Sequence, residues 1–344
     1  MCGGKCGLFC LGVVLIPVAV IAAVMLETPE VLLEKDMPSL EAIEAVMAAK
    51  PRIPKRAAPK SAASKGPRLG SGGMFDKIAS VYDKTNKWMS LGLDQHWRQT
   101  LVQECMSLSK DDRVLDLATG TADVSLLVAA RLAQLSDLKG GVSAGAVLGV
   151  DPSTEMLRRG VEKVDERVMT GIVHLVKGDA QNLSTIQAID AQGRLSKPSE
   201  GVATGSIDKI SMSFGIRNVP DRAKALREMR RALRSRESSR VCILEFSLPS
   251  GQSLLSLIAK GFITHVVPFI GWLATQGSGS EEYEYLERSI LDFPQPLEFA
   301  AEMGREGLRV QSITSFAFGA VHLYTAEPAT DTLRVSTAYT EPKW

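Results

Sequence analysis

The pattern of apolar and polar positions divides the chain at about residue 74. Beyond that point, short β-branched and leucine runs alternate with longer apolar stretches at helical spacing, as in a parallel sheet covered by helices. Arg113-Val-Leu-Asp-Leu117 reads as a first strand, followed by a turn of small residues and a helix from about Val124. The second unit is Ala146–Val150, then Asp151-Pro152-Ser153 and a helix over Thr154–Val164. A third strand, Ile172–Val176, ends in Gly178-Asp179-Ala180, and a fourth, Ile207–Ser213, opens into Phe214-Gly-Ile-Arg-Asn-Val219. Leu308–Ser315 and Ala320–Thr325 read as a closing antiparallel pair. The stretches Gln134–Gly145 and Ser184–Gly205 are rich in Gly, Ser and Ala and read as insertions carried in loops, which absorb added length at low entropic cost.

The strand ends carry the candidate chemistry. Strands one, two and three end in or beside Asp116, Asp151 and Asp179, and the turn after the first is small enough for a ligand to pack on its backbone. Asp151 is placed to accept hydrogen bonds from both hydroxyls of a ribose; as an alternative it caps the following helix, with Pro152 at the first helical position. Asp179 suits the exocyclic amine of adenine, and Ala180 leaves room for the ring. The chain has no GxxxxGK[ST] run and no GxGxxG, so no phosphate cradle is expected. A nucleoside without a pyrophosphate points to S-adenosylmethionine.

Four stretches then carry a specific resemblance. They are Phe75–Asp83 with Asn86, Met89–Gly92 and His96-Trp97; Val114–Asp123; Met212-Ser-Phe-Gly-Ile-Arg-Asn-Val219; and Glu284-Tyr-Leu286 through Ser289-Ile290 and Phe293-Pro294. Phe318-Gly-Ala-Val-His322 adds a fifth, weaker echo. On these the chain resembles the C-methyltransferase family of ubiquinone and menaquinone biosynthesis, a branch of the class I methyltransferases, from about Met74 to Glu327. The resemblance implies a class I, Rossmann-like fold: a seven-stranded, mainly parallel sheet with helices on both faces and an antiparallel last strand pair. It implies cofactor contacts at Gly120, Thr121, Asp151, Asp179, Ala180 and Ser213. In two places the chain departs from the family. Ala122 stands where the family has a second glycine, which fits only if the backbone there keeps a negative φ. Arg234–Arg240 replaces a Pro-Gly-Gly turn and reads as a longer surface loop.

A methyl on a sulfonium is already activated, so alignment and exclusion of water are the main demands on the protein. A ring carbon becomes nucleophilic when an attached hydroxyl loses its proton, so the site must support a phenolate. Arg217 and Asn218 follow strand four at the edge where the methyl should emerge. Arg217 stays protonated and suits electrostatic support, with a water taking the proton; the alternative is a salt bridge to Asp221 or Glu245. Tyr82 is a candidate to hydrogen-bond the acceptor. His96 is a candidate base or, in the plainer reading, a packed helix histidine. Leu254–Trp272 is apolar but interrupted by Lys260, His265 and Pro268, and reads as a substrate lid touching membrane or as a buried helix.

The first 73 residues differ in kind. Gly7–Leu26 carries no charge and as a helix would run about 30 Å, enough to span a bilayer as an anchor or to serve as targeting sequence. Residues 27–73 turn acid-rich and then basic: Lys50–Gly73 holds seven Lys or Arg and no acid, as in a linker or transit-like segment. The domain expected is 74–327, with a flexible tail over 328–344.

At 344 residues there is ample length for a large core, and a net charge of +1 gives no reason to expect nucleic acid. Cys2, Cys6 and Cys10 line one helical face and suit palmitoylation, whereas Cys105 and Cys242 read as buried thiols, with no metal or disulfide framework. The expected function is C-methylation of a polyprenylated quinol ring, a ubiquinone-pathway benzoquinol first and a demethylmenaquinol or demethylphylloquinol second. A non-catalytic scaffold of a quinone-synthesis complex is the rival. Expected partners are the quinol, a membrane surface or single span, and a quinone-biosynthesis complex or homodimer. The expected location is the matrix side of the mitochondrial inner membrane, or a plastid membrane.

Overall fold

The computed structural model describes residues 73–79, 90, 92–136, 146–190, 192–249, 257, 260–261, 285 and 288–329. The N-terminal hydrophobic and linker segments, Tyr82, and all of Leu254–Trp272 except 257, 260 and 261 lie outside them. Among the described residues no helix is long and apolar enough to cross a membrane.

Nine strands form one sheet in the order β5-β4-β3-β2-β1-β6-β7-β9-β8. The parallel centre is β3 (Val173–Asp179), β2 (Val147–Asp151), β1 (Val114–Leu117), β6 (Lys209–Ser213) and β7 (Arg240–Phe246). β9 (Val321–Pro328) runs antiparallel between β7 and β8 (Leu308–Phe316), as the closing pair was expected to do. The chain leaves β1 toward β2 and β3 on one side and returns to β6 and β7 on the other, so the order switches between β1 and β6.

Two strands exceed the expected seven. The Ser- and Gly-rich stretch read as a loop pairs instead as β4 (Asn182–Ala188) antiparallel to β3, with the two-residue β5 (Ser199–Glu200) beyond it. Two buried side chains anchor it, Leu183 just before the stretch and Val202 within it, and the Leu183 N–H donates to Glu228. Leu183 is the only fully buried residue of β4, so no apolar alternation marks that strand in the sequence.

Alternation along β1 sends Leu115 and Leu117 to one face and Val114 to the other. The first face packs on α5 (Arg222–Ala232) and α6 (Pro296–Arg305) through Leu226, Met229, Phe299 and Met303. The second packs on α2 (Leu93–Thr100), α3 (Asp123–Ser136) and α4 (Thr154–Glu166) through Trp97, Leu126, Leu132 and Leu157. Each such side chain, fully buried, stabilises by about 1.5–3 kcal/mol. A short α1 (Gly73–Ile78) lies against α4.

Cys105 and Cys242 are not the separate thiols expected: a disulfide joins them. Cys105 ends a π-helical turn, Leu101–Cys105, that continues α2, and Cys242 lies on β7, so the bond ties the N-terminal cap to the sheet across 137 residues. Spacing alone could not reveal a pair formed only by the tertiary fold.

Candidate active site

The carboxyl ends of β3, β2, β1, β6 and β7 place Asp179, Asp151, Gly120, Ser213 and Glu245 in spatial order along one edge. The β1 turn is built on alternating left-handed residues: Ala118, Gly120 and Ala122 have φ of 52°, 56° and 68°. Ala122 therefore overturns the expectation of a negative φ there. It is fully buried, and its Cβ lies where α4 passes close, opposite Gly160. A Cβ on Gly160 would come within 2.7 Å of Leu175 and 3.4 Å of Ala122, so helix and turn approach through a glycine on the helix side.

Asp116, one of the three strand-end acids, does not face the edge. It is 1% exposed and accepts from Thr119 Oγ1 at 2.7 Å, Ser125 Oγ at 2.8 Å and Ser211 Oγ at 2.8 Å. Burial raises its pKa above the usual carboxylate range, and those three hydroxyls counter the shift. Its work is to tie β1, the turn, α3 and β6 together.

Asp151 does not cap α4, since Ser153 Oγ fills that role by accepting from the Met156 N–H. Asp151 Oδ2 instead accepts from the Gly120 N–H at 2.9 Å, and Oδ1 from the Ser153 N–H at 2.8 Å. Burial pushes the carboxyl up to about 6, opposed by those two N–H groups and assisted by Asp116 and Asp76. Asp76 comes from α1, where its carboxylate accepts from Ser153 Oγ and the Glu155 N–H, so the N-terminal segment clamps beside this acid.

Two observations fit a nucleoside-type cofactor. A Cβ on Gly120 would meet nothing within 4 Å, leaving open space beside the Asp151 carboxylate. Ser213 Oγ is buried and has no hydrogen-bond partner among the described residues. Asp179 is exposed and accepts from Gln181 N and Nε2, with Ala180 half-buried next to it in the turn before β4. Thr121 is buried and takes a 2.8 Å hydrogen bond from Lys163, so its hydroxyl is engaged by α4.

On the other half of the edge, Arg217 is buried and paired. Its Nη1 donates to Glu245 Oε1 at 2.6 Å and to the Phe214 carbonyl at 2.8 Å, and its backbone N–H donates to Glu245 Oε2. The salt bridge named as the plainer alternative is thus present, with Glu245 rather than Asp221. Arg217 Nε remains buried without a partner among the described residues. Asn218 donates to the Phe214 carbonyl at 3.4 Å and accepts from Tyr285 at 3.3 Å. Burial raises the Tyr285 phenol, so that tyrosine is a donor at neutral pH.

Sequence reasoning named Glu245 only as a salt-bridge alternative for Arg217 and did not place Tyr285 in this cluster, although the run containing Tyr285 was among the resembling stretches. It also missed an aromatic wall. Phe214 and Phe246 stack at 4.5 Å, Trp97 meets both edge-on, and the Arg217 guanidinium lies 5.5 Å from the Phe246 ring. His96 is exposed, so it is not the packed helix histidine of the plainer reading. His322 is the one histidine buried among the described residues: burial depresses its pKa to about 4, and Ser247 and Ser315 hydrogen-bond its two ring nitrogens. It stays neutral at pH 7 and braces β7, β8 and β9. Tyr82 lies outside the described residues. No group of three or more metal-ligating side chains occurs among the described residues.

The profile of the ubiE/COQ5 methyltransferase family matches residues 64–327. A Geotalea uraniireducens protein named ubiquinone/menaquinone biosynthesis C-methyltransferase UbiE is 35% identical over 254 residues, covering 74% of this chain and 94% of that protein. Its namesake in Geobacter sulfurreducens is 34% identical over 263 residues, covering 76% and 89%, and that of Campylobacter jejuni serotype O:2 is 32% identical over 256 residues, covering 74% and 95%. A SAM dependent methyltransferase from Aquifex aeolicus, solved as a crystal structure, overlays with a TM-score of 0.45 at 15% identity, covering 71% of this chain and 96% of that one.

Proposed function

Because the chain belongs to the ubiE/COQ5 methyltransferase family, we propose that the ring it methylates is a polyprenylated benzoquinol of ubiquinone biosynthesis. It is an S-adenosylmethionine-dependent C-methyltransferase of the ubiquinone/menaquinone type. The finer reading rests on one observation. The run Ser213-Phe-Gly-Ile-Arg-Asn218 sets a buried arginine and an amide beside a serine hydroxyl that has no partner among the described residues, at the point where the strand order switches.

S-adenosylmethionine supplies an electrophilic methyl. Asp151 would hold the ribose hydroxyls, the open backbone at Gly120 and Thr121 would receive the nucleoside, and Asp179 and Ala180 would flank the adenine. Ser213 Oγ would gain the partner it lacks. Glu245 fixes the Arg217 guanidinium in one orientation, and the aromatic wall excludes water around it. The Arg217–Glu245 pair is neutral overall. Arg217 therefore supports the acceptor oxyanion by an aimed N–H rather than by net charge. Asn218, held by Tyr285, would orient the ring hydroxyl together with Tyr82, and a water would accept its proton.

In this reading the protein works on the matrix side of the mitochondrial inner membrane. It takes a greasy substrate from the bilayer, alone, as a homodimer or within a quinone-biosynthesis complex. The test supplies the full chain with labelled S-adenosylmethionine and two reduced acceptors, a methoxy-polyprenyl-benzoquinol and a demethylnaphthoquinol, with products read by mass. Methylation of the benzoquinol is expected. Methylation of the naphthoquinol alone would reverse the choice of acceptor and favour the plastid-membrane location.

A further inference from the structure

We propose that the amino-terminal edge of the sheet carries a second binding site, for a phosphate-type oxyanion, in an open surface concavity lined by five arginines. The cavity of about 640 Å³ lies between the end of α5, the connection to β7 and the turn at Thr204-Gly205. Arg227, Arg230, Arg231, Arg234 and Arg236 line it, and among the described residues no carboxylate does.

The guanidinium groups can be accounted for one by one. Arg227 pairs with Glu306 at 2.9 Å. Arg231 is held in a fork by Glu228 and also reaches the Val202 carbonyl. Arg234 and Arg236 share Asp208, at 2.6 and 3.6 Å. Arg230 has no carboxylate partner among the described residues; it makes only long contacts to Ser235 Oγ at 3.3 Å and the Ala329 carbonyl at 3.5 Å. Five cations thus face three carboxylates, leaving an excess of two positive charges in one concavity.

The negative end of α5 accounts for Arg230 and Arg231 in its last turn. It does not account for Arg227 a turn earlier, or for Arg234 and Arg236 beyond the helix. Like charges three and four residues apart on a helix repel, and Arg230, three residues from Arg227 and without a carboxylate of its own, is the group an added anion would compensate. The walls are also firm. Gly205 and Ser206 donate their N–H groups to the Arg231 and Ala232 carbonyls, and Gly307, at φ 81°, lets the stem of Arg230 pack against it. Planar guanidinium forks held in place match phosphate oxygens. Strands of about five residues put this cavity roughly 17 Å from the candidate active site, so this site does not depend on the methyl-transfer reading.

The anion has two sources, a soluble phosphate ester or the headgroup of an acidic phospholipid. The experiment compares the full chain with an Arg230→Ala/Arg236→Ala variant, whose altered side chains are half-buried and exposed. The first arm titrates inorganic pyrophosphate by calorimetry. The second measures co-sedimentation with phosphatidylcholine vesicles, with and without phosphatidylglycerol. At least a tenfold loss of pyrophosphate affinity in the variant, with methyl transfer unchanged, is expected for a soluble ligand. A variant-dependent loss confined to the acidic vesicles would assign the site to a headgroup. Equal behaviour of both proteins in both arms would overturn the proposal.

Discussion

The two halves of the active edge are built by different means. On the β1–β2 side, polar groups are aimed by backbone: a turn of alternating left-handed residues brings the Gly120 N–H to Asp151, and one strand end supplies the acid. On the β6–β7 side, side chains far apart in sequence aim one another: Arg217 to Glu245 across 28 positions, and Asn218 to Tyr285 across 67. The first kind of site tolerates a chain that merely folds. The second depends on every partner being present, since a buried charge loses its compensation when its partner goes.

The largest expected effect therefore falls on the β6–β7 side. Glu245→Ala leaves Arg217 buried with no carboxylate and should destabilise the chain by about 3–5 kcal/mol in urea unfolding. Glu245→Gln keeps the acceptor oxygen and the shape, so it should cost less stability while still lowering turnover. A loss under about 1 kcal/mol for the alanine variant would mean that Arg217 finds another partner, and the contrast between the halves would fail.

Next comes the open space at Gly120. Alanine there brings a methyl into the place assigned to the nucleoside and also strains a backbone at φ 56°. The strain should cost about 1–2 kcal/mol of stability. The methyl should weaken S-adenosylmethionine binding at least tenfold by calorimetry, or about 1.4 kcal/mol. Lost stability with unchanged affinity would place the cofactor elsewhere along the edge.

The carboxylate of Asp151 gives a pH test of the same half. Its pKa in the folded chain is about 6, against the usual 3.8. Between those values the folded chain holds a proton that the unfolded chain has lost. Stability from this group is therefore greatest in acid, falls as pH rises from about 4 to 6, and is level above that. Cofactor binding should run the other way, because an ionised acid is the better acceptor for two ribose hydroxyls. Affinity should fall by up to about tenfold as pH drops from 7 to 5, and Asp151→Asn should flatten that profile. A flat profile in the unsubstituted chain would remove the ionised acid from cofactor recognition.

The contrast also explains what the sequence made legible. The central strands, the closing antiparallel pair and the row of groups at the strand ends follow from local order: strand, small turn, helix, with an acid at the strand end. Asp116 misleads because position alone does not reveal that Thr119, Ser125 and Ser211 wall it in. The Asn218–Tyr285 contact, the Cys105–Cys242 bond and the aromatic wall are long-range pairings, and no spacing rule reaches across them. The β4–β5 hairpin went unseen for another reason, since β4 buries only Leu183 and β5 nothing, which leaves no apolar period to read.

Ala122 should give the smallest effect, and it tests whether the turn on the backbone-built side is tuned or merely tolerated. At φ 68° an alanine sits where L side chains pay about 1–2 kcal/mol, so glycine would relieve strain. Against that, glycine gains more freedom in the unfolded chain, worth about 0.4–1 kcal/mol, and leaves a gap where the Cβ now packs opposite Gly160. The opposing effects nearly cancel, so Ala122→Gly should shift stability by less than about 1 kcal/mol in either direction. Affinity for S-adenosylmethionine should stay within about twofold of the unsubstituted chain, because Ala122 is fully buried and has no surface to offer a ligand. A gain of tenfold in affinity would show instead that the alanine holds the turn away from its best binding geometry. The backbone-built half would then be compromised at this position rather than complete.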